Sequence, residues 1–280
     1  MKYIVLYNPY SANQHGREYA YKLKEVLKDE LEFYNILGID NYKRFLSKHN
    51  ESIIICGGDG TINYFINFTD GIKFDNDVLY YSTGTGNDFY NDIGDNNHFP
   101  FNINKYIYKL PIVTIKGKGH RFINGIGIGL DGWCCEKGDE HKTKNDDPVN
   151  YTKLAISGLL GGYKPRNARV IVDGETYNFE NVYIVSTMNG SCYGGGIHIA
   201  PKQDRLNKEK KLTVVVAHCK SRLGMITTFP KILKGKHMGS KNVSMFTGHD
   251  VKVIFDKPCA VQIDGETIKD LSDYSVRTDK

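Results

Sequence analysis

Three short clusters in the first ninety residues combine turn-forming residues with oxygen-bearing side chains, and two of them are rich in glycine. The densest is Cys56-Gly57-Gly58-Asp59-Gly60-Thr61, which follows an apolar run and precedes a helical one. Glycines let the backbone come close to a phosphate chain, and a helix N-terminus offers free N–H donors and the positive end of its dipole. An aspartate there can hold a Mg²⁺ that bridges phosphate oxygens. The plainer reading is a tight turn in which Asp59 caps the helix. The second cluster, Ser82-Thr83-Gly84-Thr85-Gly86-Asn87-Asp88-Phe89, also follows a strand-like run, and the third, Asn8-Pro9-Tyr10-Ser11, follows the first one. All three would lie on one edge of a parallel sheet, where open α/β folds bind ligands. Late in the chain, Asp-Gly-Glu occurs twice, at 173–175 and 264–266. Each reads first as a hairpin turn, and each carries a carboxylate that could take a proton from a hydroxyl within reach. Spacing does not rank the two.

The elements that must position these groups follow two rhythms. Strand signals at Lys2–Tyr7, Glu32–Leu37, Ser52–Cys56 and Asp77–Tyr81 alternate with helical ones at Glu18–Leu31, Tyr42–His49 and Thr61–Phe68. This βα alternation predicts a parallel sheet with helices on both faces. From about Pro111 onward, β-branched runs dominate: Ile112–Lys116, Arg121–Ile128, Arg169–Val172, Val182–Thr187, Leu212–Ala217, Val251–Phe255 and Val261–Ile263. The expected fold is an α/β domain over 1–110 and an all-β sandwich over 111–280. Arg222–Leu233 reads as a helix packed on that sandwich, with an amphipathic membrane helix as the rival reading.

Several classes fall away. The 280 residues are 40% hydrophobic and 25% charged, an ordinary globular composition with a formal net charge of +5. No apolar run of about 18 residues predicts a membrane span, and the N-terminus reads as a strand, not a secretory signal. The six cysteines form no Cys-x-x-Cys pair, which points to reduced thiols in a cytoplasm, and Cys134-Cys135 reads as core packing. There is no Walker A pattern. Gly127-Ile128-Gly129-Leu130-Asp131-Gly132 matches Gly-x-Gly-x-x-Gly but sits in the β-rich half, where it reads as a chance match. Nothing resembles a nucleic-acid-binding module.

Taken together and in order, Asn8-Pro9, Gly57-Gly58-Asp59-Gly60-Thr61, Gly84-Thr85-Gly86-Asn87-Asp88-Phe89 and Asp264-Gly265-Glu266 resemble the diacylglycerol kinase catalytic family, in particular its soluble bacterial lipid kinases. Asn124, Gly129-Leu130-Asp131, Asn189-Gly190, Tyr193-Gly194-Gly195-Gly196 and Ala200-Pro201 extend the match through nearly the whole chain. The resemblance implies a nucleotide-binding α/β domain, a C-terminal β-sandwich that takes the lipid, an active site in the interdomain cleft, and last residues able to pack back on the first domain. It implies ATP with Mg²⁺ as donor and a lipid hydroxyl as acceptor. By that resemblance Asp59 organises Mg²⁺–ATP through water. Asn8, Pro9, Ser11, Gly57, Gly58, Gly60, Thr61, Asn63, Gly84, Thr85, Gly86, Asn87 and Asp88 line the nucleotide site. Asp264 is the general base, with Glu266 beside it as a second candidate.

Two departures stand out. Relatives usually have Gly after the Ser of the first motif, where this chain has Ala12. After Ala200-Pro201, relatives commonly carry Asp-Asp-Gly, and some hold a structural Mg²⁺ there; this chain has Lys208-Glu209-Lys210-Lys211, so that metal is not expected. The leading acceptor is diacylglycerol, giving phosphatidic acid. Rivals are phosphatidylglycerol, a sphingoid base, a soluble acceptor of the NAD kinase or phosphofructokinase kind, and a catalytically silent nucleotide- or lipid-binding regulator. The mild net charge conceals a basic stretch: residues 202–241 hold eleven Lys/Arg against Asp204 and Glu209, a local +9, so the rest of the chain is −4. A peripheral location at the inner membrane surface would suit such a stretch. Edge strands could also pair two copies into a homodimer.

Overall fold

Two strands buried on both faces anchor the first half. In β1 (Lys2–Tyr7) the side chains of Ile4, Val5 and Leu6, and in β3 (Ser52–Gly57) those of Ile53 through Cys56, are fully buried. Strands covered on both sides read as continuous apolar runs. The structure is a computed structural model that describes residues 1–84, 86–93, 99–144 and 149–278. The chain divides into two units, Met1–Tyr108 and Lys109–Lys280.

In the first unit the sheet order is β2-β1-β3-β4-β5, with β2 Glu30–Asn35, β4 Val78–Ser82 and β5 Phe101–Asn102. The first four strands are parallel and β5 runs antiparallel to β4. Chain order reverses between β1 and β3, the kind of switch point beyond whose carboxyl ends open α/β sheets bind ligands. The registers Tyr7↔Cys56 and Gly57↔Ser82 bring the ends of β1, β3 and β4 level. Ala20 and Leu23 pack with Val5, Ile54 and Cys56 against one face. The expected Glu18–Leu31 helix is shorter and broken, into Gly16–Tyr21 and Leu23–Val26, because Leu27 is already extended and β2 starts at Glu30. The expected Tyr42–His49 helix ends at Leu46, and the Thr61–Phe68 helix starts earlier than expected, at Asp59.

The second unit is one nine-stranded antiparallel sheet, in the order β12-β11-β10-β8-β13-β14-β6-β7, with β9 pairing both β10 and β13. Its strands are β6 Ile112–Ile115, β7 Lys118–Arg121, β8 Gly125–Gly129, β9 Arg166–Val172, β10 Glu175–Met188, β11 Leu212–His218, β12 Val243–Gly248, β13 Asp250–Ile263 and β14 Glu266–Arg277. The two 14-residue strands each serve three partners: β10 pairs β11 on one edge and β9 then β8 on the other, and β13 pairs β14 on one edge and β9 then β8 on the other. The sheet thereby folds over a core of Phe122, Val170, Val185, Val214, Val253, Val261 and Tyr274. The last residues form β14, between β13 and β6 of this sheet.

Three corrections follow. The unit is β-rich but not all β: helices Leu130–Lys142 and Tyr151–Ser157, beside the expected Arg222–Leu233, contribute Leu130, Ala155, Met225, Phe229 and Ile232 to a second apolar cluster with Tyr183 and Val215. The first of these has no clear apolar stripe and contains Gly132 and Gly138, which hides its period. The expected Arg121–Ile128 strand is interrupted at residues 122–124, and the expected Val251–Phe255 and Val261–Ile263 runs are a single strand.

Candidate active site

The three N-terminal clusters do occupy the carboxyl edge of the first sheet. After β1, Asn8 Oδ1 accepts the Tyr10 N–H at 3.0 Å and Ser11 Oγ donates to the Asn8 carbonyl at 2.8 Å. Pro9 begins this turn, and Ala12 then adopts φ 50°, a left-handed conformation that favours glycine. That explains why a glycine would be preferred where this chain has alanine.

After β3, Gly57 and Gly58 make room for neighbours. A Cβ on Gly57 would fall 2.1 Å from Thr61 Oγ1, and one on Gly84 would fall 2.5 Å from Gly58 Cα. The two glycine loops therefore touch backbone to backbone. Thr61 is buried beneath Gly57 and shapes this turn, whereas Gly60 is exposed. Asn63, one turn on, faces Asn67, whose Nδ2 donates to the Asn63 carbonyl at 2.9 Å.

Asp59 does not cap its own helix; Gly58 occupies that position. Its Oδ2 accepts the Asp88 N–H at 2.7 Å and its Oδ1 the Phe89 N–H at 3.2 Å, so it ties the first loop to the start of the Asp88–Ile93 helix. In the second loop, Asn87 Nδ2 donates to the Gly84 carbonyl at 2.6 Å. Asn87 Oδ1 and Thr83 Oγ1 are buried with no partner among the described residues, the kind of orphan that a ligand or water satisfies. Asp88 is buried behind the loop and Gly86 is exposed. Thr85, expected to contact phosphate, lies outside the described residues.

Mg²⁺ chemistry asks for few protein ligands. No group of three or more His, Cys, Asp or Glu side chains able to hold a metal exists among the described residues. Asp59 is a hard oxygen donor whose two oxygens accept the Asp88 and Phe89 N–H groups. This donor set fits Mg²⁺ held by water and phosphate oxygens, the usual arrangement for nucleotide-bound Mg²⁺.

In the second unit the two Asp-Gly pairs have nearly the same backbone: φ 49° and 90° at Asp173-Gly174, φ 47° and 92° at Asp264-Gly265. What each aspartate holds differs. Asp173 Oδ1 accepts the N–H groups of His249 and Asp250. Asp264 Oδ2 accepts Ile123 N–H at 2.7 Å, and its Oδ1 accepts those of Asn124 and Gly125 at 2.8 and 3.0 Å. The gap between β7 and β8 exists to receive this carboxylate. The carbonyls of the same segment point to Asn189, whose Nδ2 donates to Ile123 O and whose N–H donates to Asn124 O, both at 2.9 Å. Arg205 completes the set: its guanidinium donates to Ile123 O and, at 2.6 Å, to Asn124 Oδ1. Glu266 is exposed at the start of β14.

Residue reading missed Arg205, which lies in no recognisable pattern. It also left Asp131 without a role. Asp131, in the first turn of the Leu130–Lys142 helix, is partly exposed but has a buried Oδ2, and desolvation pushes its carboxyl up to about 6 against the opposing pull of the Gly132 N–H, Gln262 and Tyr193. Gly127 is required there, since a Cβ would fall 1.7 Å from Asp131 Oδ2. Gly132 likewise lets the helix reach β13, its Cβ position lying 2.0 Å from the Ala260 carbonyl. The Gly-x-Gly-x-x-Gly match is thus a packing device between antiparallel strands and not a dinucleotide loop.

Comparison with known proteins agrees with this geometry. The diacylglycerol kinase catalytic domain matches residues 2–112, and the YegS C-terminal NAD kinase β-sandwich-like domain matches residues 124–276, more than half the chain. YtlR of Bacillus subtilis (strain 168), provisionally named a lipid kinase, is 23% identical over 94% of this chain and 93% of its own length. A Mycobacterium tuberculosis (H37Rv) protein named diacylglycerol kinase is 23% identical over 74% of this chain and 68% of its own. A solved Bacillus anthracis structure, provisionally titled a diacylglycerol kinase, shares the fold with a TM-score of 0.68 at 18% identity, covering 100% of this chain and 94% of that one. The chain belongs to the diacylglycerol kinase catalytic family, in the branch with the YegS-type second domain, and it is a kinase of the lipid-kinase type.

Proposed function

We propose that this protein transfers the γ-phosphoryl group of ATP to a primary hydroxyl of a membrane lipid, and that its acceptor is diacylglycerol, giving phosphatidic acid. The observation that carries the reading is the pairing of two glycine loops by Asp59, with buried, unpartnered oxygens at Thr83 and Asn87 on the same sheet edge. Loop N–H groups and Asn8, Ser11 and Asn87 orient the nucleotide. Mg²⁺, when bound near Asp59, neutralises charge on the phosphates. The lipid oxygen forms the new O–P bond, the bond from γ-phosphorus to the bridging oxygen breaks, and its electron pair leaves with ADP. The hydroxyl proton passes to the Asp264 carboxylate. In such a reaction positioning matters more than base strength. The M. tuberculosis relative's name supports diacylglycerol as the acceptor.

The lipid must be met at a bilayer. Among the described residues no helix is long and apolar enough to cross a membrane. Lys202, Lys208, Lys220, Lys231, Lys234 and Lys236 are exposed in the basic stretch, as are Leu223 and Met238. These support a peripheral contact with an anionic surface.

The test is phosphate transfer from γ-labelled ATP with Mg²⁺ to mixed micelles carrying diacylglycerol, phosphatidylglycerol, ceramide or a sphingoid base, with NAD and fructose 6-phosphate in parallel. Label in diacylglycerol is the expected result. Label in another lipid would move the acceptor, label in NAD would overturn the lipid reading, and no transfer at all would favour a silent regulator.

A further inference from the structure

We propose that Arg205 is a positioning residue for Asp264, acting through the Ile123–Asn124 peptide; this rests on the base assignment above. The peptide has two ends. Its N–H, on Asn124, donates to Asp264 Oδ1 at 2.8 Å, and its carbonyl, on Ile123, accepts from the Arg205 guanidinium. A cationic donor on a carbonyl polarises the peptide and strengthens the N–H at its other end. Arg205 thus acts on Asp264 through this peptide.

The fork of the guanidinium also fixes the peptide plane. Its second nitrogen holds Asn124 Oδ1 at 2.6 Å, so Ile123 and Asn124 are gripped together. A lysine ammonium lacks this planar two-point geometry. Residues 122–124 belong to neither β7 nor β8, so strand pairing alone does not set their orientation. Three consecutive N–H groups must nevertheless converge on one carboxylate.

The loop carrying Arg205 is itself braced. Thr213 Oγ1 donates to Gln203 Oε1 at 2.6 Å, Asn207 and Lys211 exchange hydrogen bonds at 2.9 and 3.0 Å, and the Leu206 N–H donates to Asp204 Oδ1 at 2.8 Å. The Arg205 backbone therefore sits in a braced loop, and its guanidinium is held at its far end by the Ile123 carbonyl and Asn124 Oδ1. A group so supported holds its partner to within a fraction of an ångström.

The experiment compares Arg205→Ala, Arg205→Lys and Asp264→Asn, alone and with Arg205→Ala combined with Asp264→Asn. Arg205→Ala is expected to lower kcat about 10- to 100-fold, the range for residues that orient a functional group, with the KM for ATP within about twofold. Arg205→Lys should recover only part of this, and ethylguanidinium, but not ethylammonium, should restore activity to Arg205→Ala. In the double variant, Arg205→Ala should add little to Asp264→Asn. Wild-type kcat in a folded Arg205→Ala protein, or a full additive loss in the double variant, would overturn the inference. A readout independent of turnover keeps it separate from the functional reading. The Asn124 amide proton in a ¹⁵N-correlated spectrum should shift upfield in Arg205→Ala as its bond to Asp264 weakens. If that resonance is unmoved, the inference fails even if the enzyme is active; if wild-type protein phosphorylates nothing but the resonance moves, the functional reading fails and the coupling stands.

Discussion

At the scale of residues, two aspartates on near-identical Asp-Gly turns have different surroundings. Asp173 holds the corner at His249 and Asp250, while Asp264 lies at a point where Asn124, Asn189 and Arg205 converge. Asp264→Asn should lower kcat by roughly 10²- to 10⁴-fold, the usual contribution of a general base, with ATP affinity nearly intact by calorimetry. Glu266→Gln should lower it far less; the reverse result would give the proton to Glu266. Asp131 makes a pH prediction. Its folded carboxyl titrates at about 6 against an ordinary 3.8, so the folded state binds the proton more tightly. Its contribution to stability is full below the unfolded value and is lost as pH rises through 6. Asp131→Asn should remove this slope and stabilise the protein at pH 7 by on the order of 3 kcal/mol, read by urea denaturation at pH 4 and 7.

At the scale of elements, the first unit depends on two loops meeting without side chains. Gly84→Ala pushes a methyl into the Gly58 backbone, which cannot rotate away. It should cost about 1–3 kcal/mol in stability and raise the KM for ATP, whereas Gly86→Ala, with nothing within 4 Å, should leave stability unchanged. Ala12→Gly should stabilise the protein by roughly 1 kcal/mol, since it relieves a left-handed alanine at φ 50°. Thermal melts of the three variants check both statements.

At the scale of the whole molecule, charge is concentrated. The stretch 202–241 carries +9 within a chain of net charge +5. The Arg222–Leu233 helix is not lipid-facing along its apolar side, because Met225, Phe229 and Ile232 are buried in the second unit's outer cluster. What it exposes is Leu223 and Lys231, followed by Lys234 and Lys236. Lys231→Glu, Lys234→Glu and Lys236→Glu together should weaken binding to vesicles containing anionic lipid at least tenfold, at about 1 kcal/mol per charge, and wild-type binding should fall with salt. Co-sedimentation with vesicles of graded anionic content measures both.

Local signals determined a good deal by themselves. Buried apolar runs ending in glycine marked the parallel strands, and the same runs put Asn8, Asp59 and Asn87 at strand ends, because a parallel sheet aligns every carboxyl end on one edge. The interrupted strand at 122–124, the helix hidden in Leu130–Lys142 and the partners of each aspartate were not legible. Those depend on contacts between residues far apart in the chain, such as Asp264 with Ile123 and Arg205 with Asn124, which no local period encodes. Sequence supplied two equivalent Asp-Gly-Glu turns. Only the tertiary structure showed which backbone N–H groups each aspartate accepts, and that Arg205 grips the segment holding Asp264, because a carboxylate's chemistry is set by the groups folded against it.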